Sequence, residues 1–272
     1  MTASAPKLRL SDVSKHFVAP KTGQLTLAVD GVSLEIRTGE FVCIVGPSGC
    51  GKSTILNMVA GLDTPTGGGI EANGRRVAGP GAERGVMFQD YALFPWLTVH
   101  DNIGFGLRYG TPGEGYSLAQ REARIAHFVD LVGLMGSEAK YPHQLSGGMR
   151  QRVALARLLA NEPDILLMDE PLGALDAQTR LILQVELLRI WGETASPAER
   201  KTAIFITHDI EEAVFLADRV IVMSAHPGRV TADIPVALPR PRTAATRALP
   251  LFAQLNEQIW GLIREQAYRA IA

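Results

Sequence analysis

Gly46-Pro47-Ser48-Gly49-Cys50-Gly51-Lys52-Ser53 is the stretch whose reading decides the fold. Its two spaced glycines followed by Lys-Ser match a phosphate-binding loop, and the flanking residues supply the context that such a loop needs. Phe41-Val42-Cys43-Ile44-Val45, ahead of it, is a short apolar run that reads as a strand buried on both faces. Behind it, Ser53 to Ala60 reads as a helix closed by Gly61. The glycines let the backbone take positive φ and turn its N–H groups inward around a polyanion, and the new helix points the positive end of its dipole at the same place. Lys52 is expected to reach the β- and γ-phosphates of a nucleotide, and the Ser53 hydroxyl to take one position on a magnesium ion.

A chain of 272 residues is long enough for one large core or two small ones. The 46% apolar and 20% charged residues match a soluble globular protein, and a formal net charge of −1 offers no global attraction to nucleic acid or anionic lipid. Cys43 and Cys50 are too few and too close for a disulfide framework, which implies a reducing cytosol. Met1 to Lys7 lacks the apolar core of a signal peptide, and no apolar run approaches the ~18 residues of a membrane span. The chain is expected not to cross a membrane itself, while leaving room to sit against one through a partner.

Upstream of the loop, Leu8 to Val13 alternates as a half-buried strand, a polar connection runs from Pro20 to Thr26, and Gly31 to Ile36 reads as another strand. Phe17 between them is ambiguous alone, fitting either core packing or stacking on a base. Downstream, Ile70 to Val77 is a hairpin turned by Asn73-Gly74, and Gly85 to Phe88 is a strand that ends at Gln89. Tyr91-Ala92-Leu93-Phe94-Pro95-Trp96-Leu97 is dense in apolar and aromatic residues but broken by proline, which favours a partner-contact surface over core. Ser117 to Val132 has helical apolar spacing and stops at Gly133.

Leu145-Ser146-Gly147-Gly148 opens a helical run to Ala160. Ser146 suits an N-cap, and the paired glycines let a ligand approach exposed N–H groups, so this reads as a second anion site or a simple capped helix. Asp164 to Met168 is a buried strand ending in Asp169-Glu170, at the strand end where open parallel sheets hold ligands. One carboxylate suits magnesium and the other suits handling water. Leu175-Asp176 precedes a helix from Ala177 to Ile190, Ala203 to Thr207 is a buried strand presenting His208-Asp209, and Arg219 to Met223 and Arg229 to Ile234 read as closing strands. After an extended Pro239-Arg240-Pro241-Arg242 junction, Phe252, Leu255, Ile259, Leu262 and Ile263 keep a helical period, a face for the body or a partner.

Six motifs in one order make the chain, from about Lys7 to Ile234, resemble the ATPase subunit of an ATP-binding cassette (ABC) transporter. The Leu145 to Gly148 motif narrows the match, since GTPases and kinases lack it. The resemblance implies an α/β fold: a RecA-like P-loop NTPase core (7–89 and 162–234) with an N-terminal antiparallel β portion, an inserted α-helical subdomain (90–161) and a C-terminal helical extension (235–272). It implies ATP and Mg2+ as ligands. ATP contacts would come from Phe17, now as the adenine-stacking residue, from the loop residues Gly46, Pro47, Ser48, Gly49, Cys50, Gly51, Lys52, Ser53 and Thr54, and from Ser146, Gly147, Gly148 and Asp176. Metal contacts fall to Ser53, Gln89 and Asp169, and the reaction to Glu170 as general base with His208, Gln89 and Lys52.

The implied partners are a second copy of the chain, two transmembrane permease subunits and, indirectly, a periplasmic or extracellular substrate-binding protein, with no nucleic acid. The implied location is the cytoplasmic face of the plasma membrane. Phe88 to Val99 and Val222 to Arg229 are similar to the importer branch serving nitrate, sulfonates and taurine. Phe17 stands where tyrosine is commonest, and Met149 where glutamine is. A non-transport ABC ATPase acting on nucleic acid or the ribosome is the alternative, but a single cassette without sustained heptads or a basic patch speaks against it. A GTPase would need an Asn/Thr-Lys-x-Asp guanine reader, which the sequence lacks.

Overall fold

The computed structural model describes residues 6–19, 22–109 and 116–271, with side chains to residue 266. Residues 1–5 of the N-terminal stretch, and Pro20 and Lys21 of the polar connection, lie outside the described residues. Among the described residues, ten strands form two sheets. Strands β1 (Leu8–Val18), β2 (Leu25–Ile36), β4 (Gly67–Ala72) and β5 (Arg75–Arg76) make an antiparallel sheet in the order β2-β1-β4-β5. The second sheet has the order β10-β9-β3-β8-β7-β6, built from β3 (Phe41–Val45), β6 (Arg84–Met87), β7 (Ile165–Asp169), β8 (Thr202–Ile206), β9 (Arg219–Met223) and β10 (Val230–Pro235). It is parallel except for β10, which runs antiparallel on β9.

The helices are α1 (Lys52–Ala60), α2 (Val99–Tyr109), α3 (Leu118–Leu131), α4 (Gly147–Ala160), α5 (Ala177–Trp191), α6 (Ile210–Leu216) and α7 (Pro250–Ile271). Every residue of β3, β7 and β8 is buried, as continuous apolar runs in a sheet covered on both sides require. Alternate residues divide that burial between two cores. Phe41, Cys43 and Val45 join a core shared with α2 to α7, whereas Val42 and Ile44 join a second core with α1 and the antiparallel sheet. Helices α1 and α4 therefore lie on opposite faces of one sheet.

Several expectations needed correction. The alternation from Leu8 does not run unbroken: β1 bulges between Leu10 and Val13, with Asp12 at φ 51°, so the buried face passes from Leu8 and Leu10 to Val13 and Lys15. The strand consequently runs on to Val18, and β2 begins earlier than the apolar pattern implied. Helix α2 was not read from the sequence, because Gly104 and Gly106 weaken its propensity. Both are there for close packing: a Cβ on Gly104 would stand 2.6 Å from Ile125 Cδ1, and one on Gly106 would stand 2.1 Å from Asn161 Oδ1.

The C-terminal helix packs on the body, burying Phe252, Leu255 and Ile259 in the larger core. Its extended junction is anchored by charge. The guanidinium groups of Arg200 and Arg240 lie 4.8 and 4.5 Å from the centre of the Trp191 ring, and Arg240 pairs with Asp218 at 2.8 Å and Glu193 at 2.9 Å. Arg242 is buried, donating to the Ala217 carbonyl.

Candidate nucleotide site

The phosphate-binding loop leaves β3 and enters α1 through Gly51, which takes φ 86°. Glycine is required twice over, since a Cβ would meet Val29 Cγ2 at 2.8 Å and the Ala28 carbonyl at 2.9 Å. No side chain caps α1 and no acid lies in its first turn, so the positive end of the helix faces the loop undiluted. The Lys52 ammonium is buried across the loop, donating to the carbonyls of Gly46 and Pro47, each at 2.9 Å. Cys50, fully buried beneath it, has its thiol pushed up by burial against the opposing pull of Lys52, and stays a thiol.

Parallel pairing delivers the acidic residues to the same edge. Asp169 ends β7 in register with Ile206 of β8, and its carboxyl lies beside the Ser53 hydroxyl at the start of α1. Burial raises the Asp169 carboxyl above the usual range, and the neighbouring Glu170 adds to the rise, opposed by Ser53 and Lys52. A hydroxyl, a carboxylate and, from Gln89, an amide oxygen are the hard oxygen donors that magnesium takes. Ser53 and Asp169 are brought into contact. Gln89 is exposed just past β6, two positions beyond Met87, whose register partner Met168 is two positions before Glu170.

Glu170 takes φ 48°, in the left-handed region that non-glycine residues rarely occupy. Three contacts hold it there. Its N–H donates to the Ile206 carbonyl at 3.0 Å, and its own carbonyl accepts from Gly173 N–H at 3.2 Å and from Gln151 Nε2 at 2.9 Å. Gln151, a buried residue of α4 that the sequence reading missed, also accepts from Ala174 N–H at 3.0 Å. The only sequence signal for it is a polar residue on an apolar helix face. His208 follows β8, its ring well exposed, with Nδ1 at 3.4 Å from Glu170 Oε2. Loop, magnesium candidates, Glu170 and His208 thus share one edge of the sheet.

The remaining predicted residues stand elsewhere. Ser146 is the N-cap of α4, accepting from Met149 N–H at 3.3 Å, with Gly147 and Gly148 opening the helix. Met149 packs against the larger core. Asp176 caps α5 by accepting from Thr179 N–H, and that bond holds its carboxyl below the usual range. Phe17 is 45% exposed on β1, with the Lys15 ammonium 5.2 Å from its ring centre, so it is not a core residue.

The aromatic stretch is an irregular surface. Tyr91 and Ala92 take positive φ, and Arg157 holds their carbonyls at 2.9 and 2.8 Å while lying over the Phe94 ring. Fully buried Asn102, another residue the sequence reading missed, binds the Phe94 N–H and the carbonyls of Phe94, Leu97 and Thr98. The rings of Phe94, Phe105 and Tyr109 follow one another at 4.4 and 5.0 Å, and Trp96, 5.7 Å from Phe94, is 70% exposed.

Comparison with known proteins agrees with this geometry. The family described as ABC transporter matches residues 29–173. The chain is similar to the nitrate import ATP-binding protein NrtD of Synechocystis, with 45% identity over 263 residues covering 94% of this chain and 95% of that protein. It is equally similar to the taurine import ATP-binding protein TauB of Jannaschia, with 45% identity over 260 residues covering 94% and 93%. A solved dimeric ATP-binding cassette in a post-hydrolysis state, bound to ADP and Pi, superposes with a TM-score of 0.75 at 33% identity, covering 84% of this chain and 98% of that one. A phosphate loop facing an acidic strand end, on a sheet of this order, and relatives matched over nearly their whole length lead to one assignment: the chain belongs to the ABC transporter family, as an ATP-binding subunit whose ATPase activity is coupled to transport.

Proposed function

We propose that two copies of this chain hydrolyse ATP between them to drive import of a small molecule of the nitrate, sulfonate or taurine class. One observation carries this reading: the phosphate-loop helix α1 and the Ser146 helix α4 belong to cores on opposite faces of the sheet. Two anion-binding helix mouths set in separate layers of the protomer suit two half-sites that a second copy completes. In a head-to-tail dimer, the Ser146, Gly147 and Gly148 mouth of one copy meets the γ-phosphate held by the other's loop.

Within that composite site Lys52 turns its ammonium from the Gly46 and Pro47 carbonyls to the phosphates, and Phe17 offers an exposed ring to the adenine. Ser53, Asp169 and Gln89 would hold magnesium, which when bound neutralises charge on the phosphate oxygens. Glu170 accepts the proton of the attacking water, His208 touches the γ-phosphate, and Asp176 lines the seam between copies. Backbone N–H groups at the mouth of α4 absorb charge that develops in flight. Closing and reopening the dimer would move two permease subunits seated on the aromatic surface around Trp96, with a substrate-binding protein delivering cargo outside. This places the chain at the cytoplasmic face of the membrane; no helix among the described residues is long and apolar enough to cross one. The reading also takes 7–234 as the ATPase domain, with its helical subdomain at 90–161, and 235–272 as an extension docked on it.

Complementation tests the composite site. Lys52→Ala disables a phosphate loop and Ser146→Arg blocks an α4 mouth, so each variant alone should be inactive. A mixed dimer retains one site with an intact loop from one chain and an intact mouth from the other. Mixing should therefore restore ATP hydrolysis, whereas a site contained within one chain would stay dead in the mixture.

A further inference from the structure

His208 has an exposed ring, so its position depends on the backbone that carries it rather than on packing around the imidazole. That backbone is held on both sides by one hydroxyl. Buried Thr207 accepts the Asp209 N–H at 3.0 Å and donates to Glu212 Oε2 at 2.6 Å. Asp209 caps α6 by accepting from Glu212 N–H at 3.1 Å and lies 3.4 Å from Arg180 Nη1.

The Glu212 carboxylate, buried on α6, takes its other contact from Gln184 Nε2 of α5 at 3.0 Å. A buried amide can face a carboxylate with its NH2 or, unfavourably, with its oxygen. Arg247 selects the favourable sense: its Nη2 donates to Gln184 Oε1 at 2.6 Å, which leaves only the NH2 for Glu212. The guanidinium itself lies 4.2 Å from the centre of the Phe215 ring. Arg247 belongs to the short 3-10 turn Ala244–Ala248, between the Arg240 anchor and α7.

We propose that this C-terminal segment positions His208 for hydrolysis: Arg247 orients the Gln184 amide, the amide orients Glu212, and Glu212 holds the Thr207 hydroxyl that fixes the backbone around His208. The chain runs through four buried or half-buried side chains whose donors and acceptors alternate without a break. It rests on the reading that His208 contacts the γ-phosphate. None of its four members touches the nucleotide, so loosening it should slow the reaction without weakening ATP binding.

Steady-state hydrolysis by the full-length protein tests this. Arg247→Met keeps an apolar stem on Phe215 but loses the donor, and should lower kcat about tenfold with an unchanged KM for ATP. Gln184→Met, which breaks the chain on α5 without altering the sequence of the C-terminal segment, should show the same split and serves if the first variant fails to fold. Equal losses in kcat and ATP affinity in both variants would mean general loosening and overturn the proposal. Full turnover in Arg247→Met and Gln184→Met alongside a crippled His208→Ala would also overturn it. Full turnover in His208→Ala itself would instead remove the underlying reading of His208.

Discussion

Gln151 of α4 donates from Nε2 to the carbonyl of Glu170 at 2.9 Å, tying the helix that opens at Ser146 to the residue expected to act on water. The same amide accepts from Ala174 N–H, so one buried side chain spans the loop that leads from Glu170 to Asp176. Gln151→Leu would take one of the two donors from the Glu170 carbonyl, leaving only Gly173 N–H, and would free the Ala174 N–H, at a cost of about 0.5–1.5 kcal/mol. We expect a lower midpoint in urea unfolding and a fall in turnover, with ATP affinity retained, because Glu170 loses one of the bonds that hold its positive φ. Unchanged unfolding and turnover would show that Gln151 is a bystander.

Glu170→Gln should keep ATP affinity and nearly abolish hydrolysis, because an amide fills the site but cannot accept the proton from water. With ATP bound and not turned over, the variant should accumulate as a dimer that elutes early in size-exclusion chromatography. Hydrolysis near the wild-type rate would take the general-base role away from Glu170.

Trp96 is 70% exposed and touches Phe94 at the rim of the aromatic surface, so truncation removes little of the protein's own packing. Trp96→Ala should leave the thermal midpoint and ATP binding of the isolated subunit near normal. At an interface, an anchoring Trp commonly costs ~2 kcal/mol or more when truncated, and co-purification with the permease subunits should fall accordingly. Stable assembly with the permease in the variant would remove Trp96 from the docking surface.

Burial pushes the Glu212 carboxyl above the usual glutamate range, against the pull of Thr207 and Gln184. Between its unfolded and raised folded values the native state binds more protons, so the stability from this group is fully present below the unfolded value and is lost as pH rises through the folded one. Glu212→Gln carries no such titration and should show a shallower loss of stability over that window in urea titrations at stepped pH. Burial raises Asp169 in the same direction, so some slope should remain. Parallel pH curves for variant and wild type would contradict the Glu212 assignment.

Local pattern alone determined the strand, loop and helix around Lys52, the N-cap at Ser146, the helix that follows Asp176, the hairpin at Asn73-Gly74 and the buried strands that lead to Asp169 and His208. Those signals rest on residues a few positions apart, where periodicity, capping and positive φ act directly. Tertiary structure decided the rest, through partners far away in the chain. Gly104 and Gly106 look like helix breakers until Ile125 and Asn161 are packed on them, and the bulge at Asp12 redirects an alternation that sequence alone would continue. Arg240 and Arg242 read only as part of an extended junction, and the fold draws them in to Trp191, Glu193 and Asp218. The opposite placement of α1 and α4 follows from which face of β3 each core claims. Burying a polar or charged side chain is favourable only where its partners are supplied, and those partners are assembled by the fold.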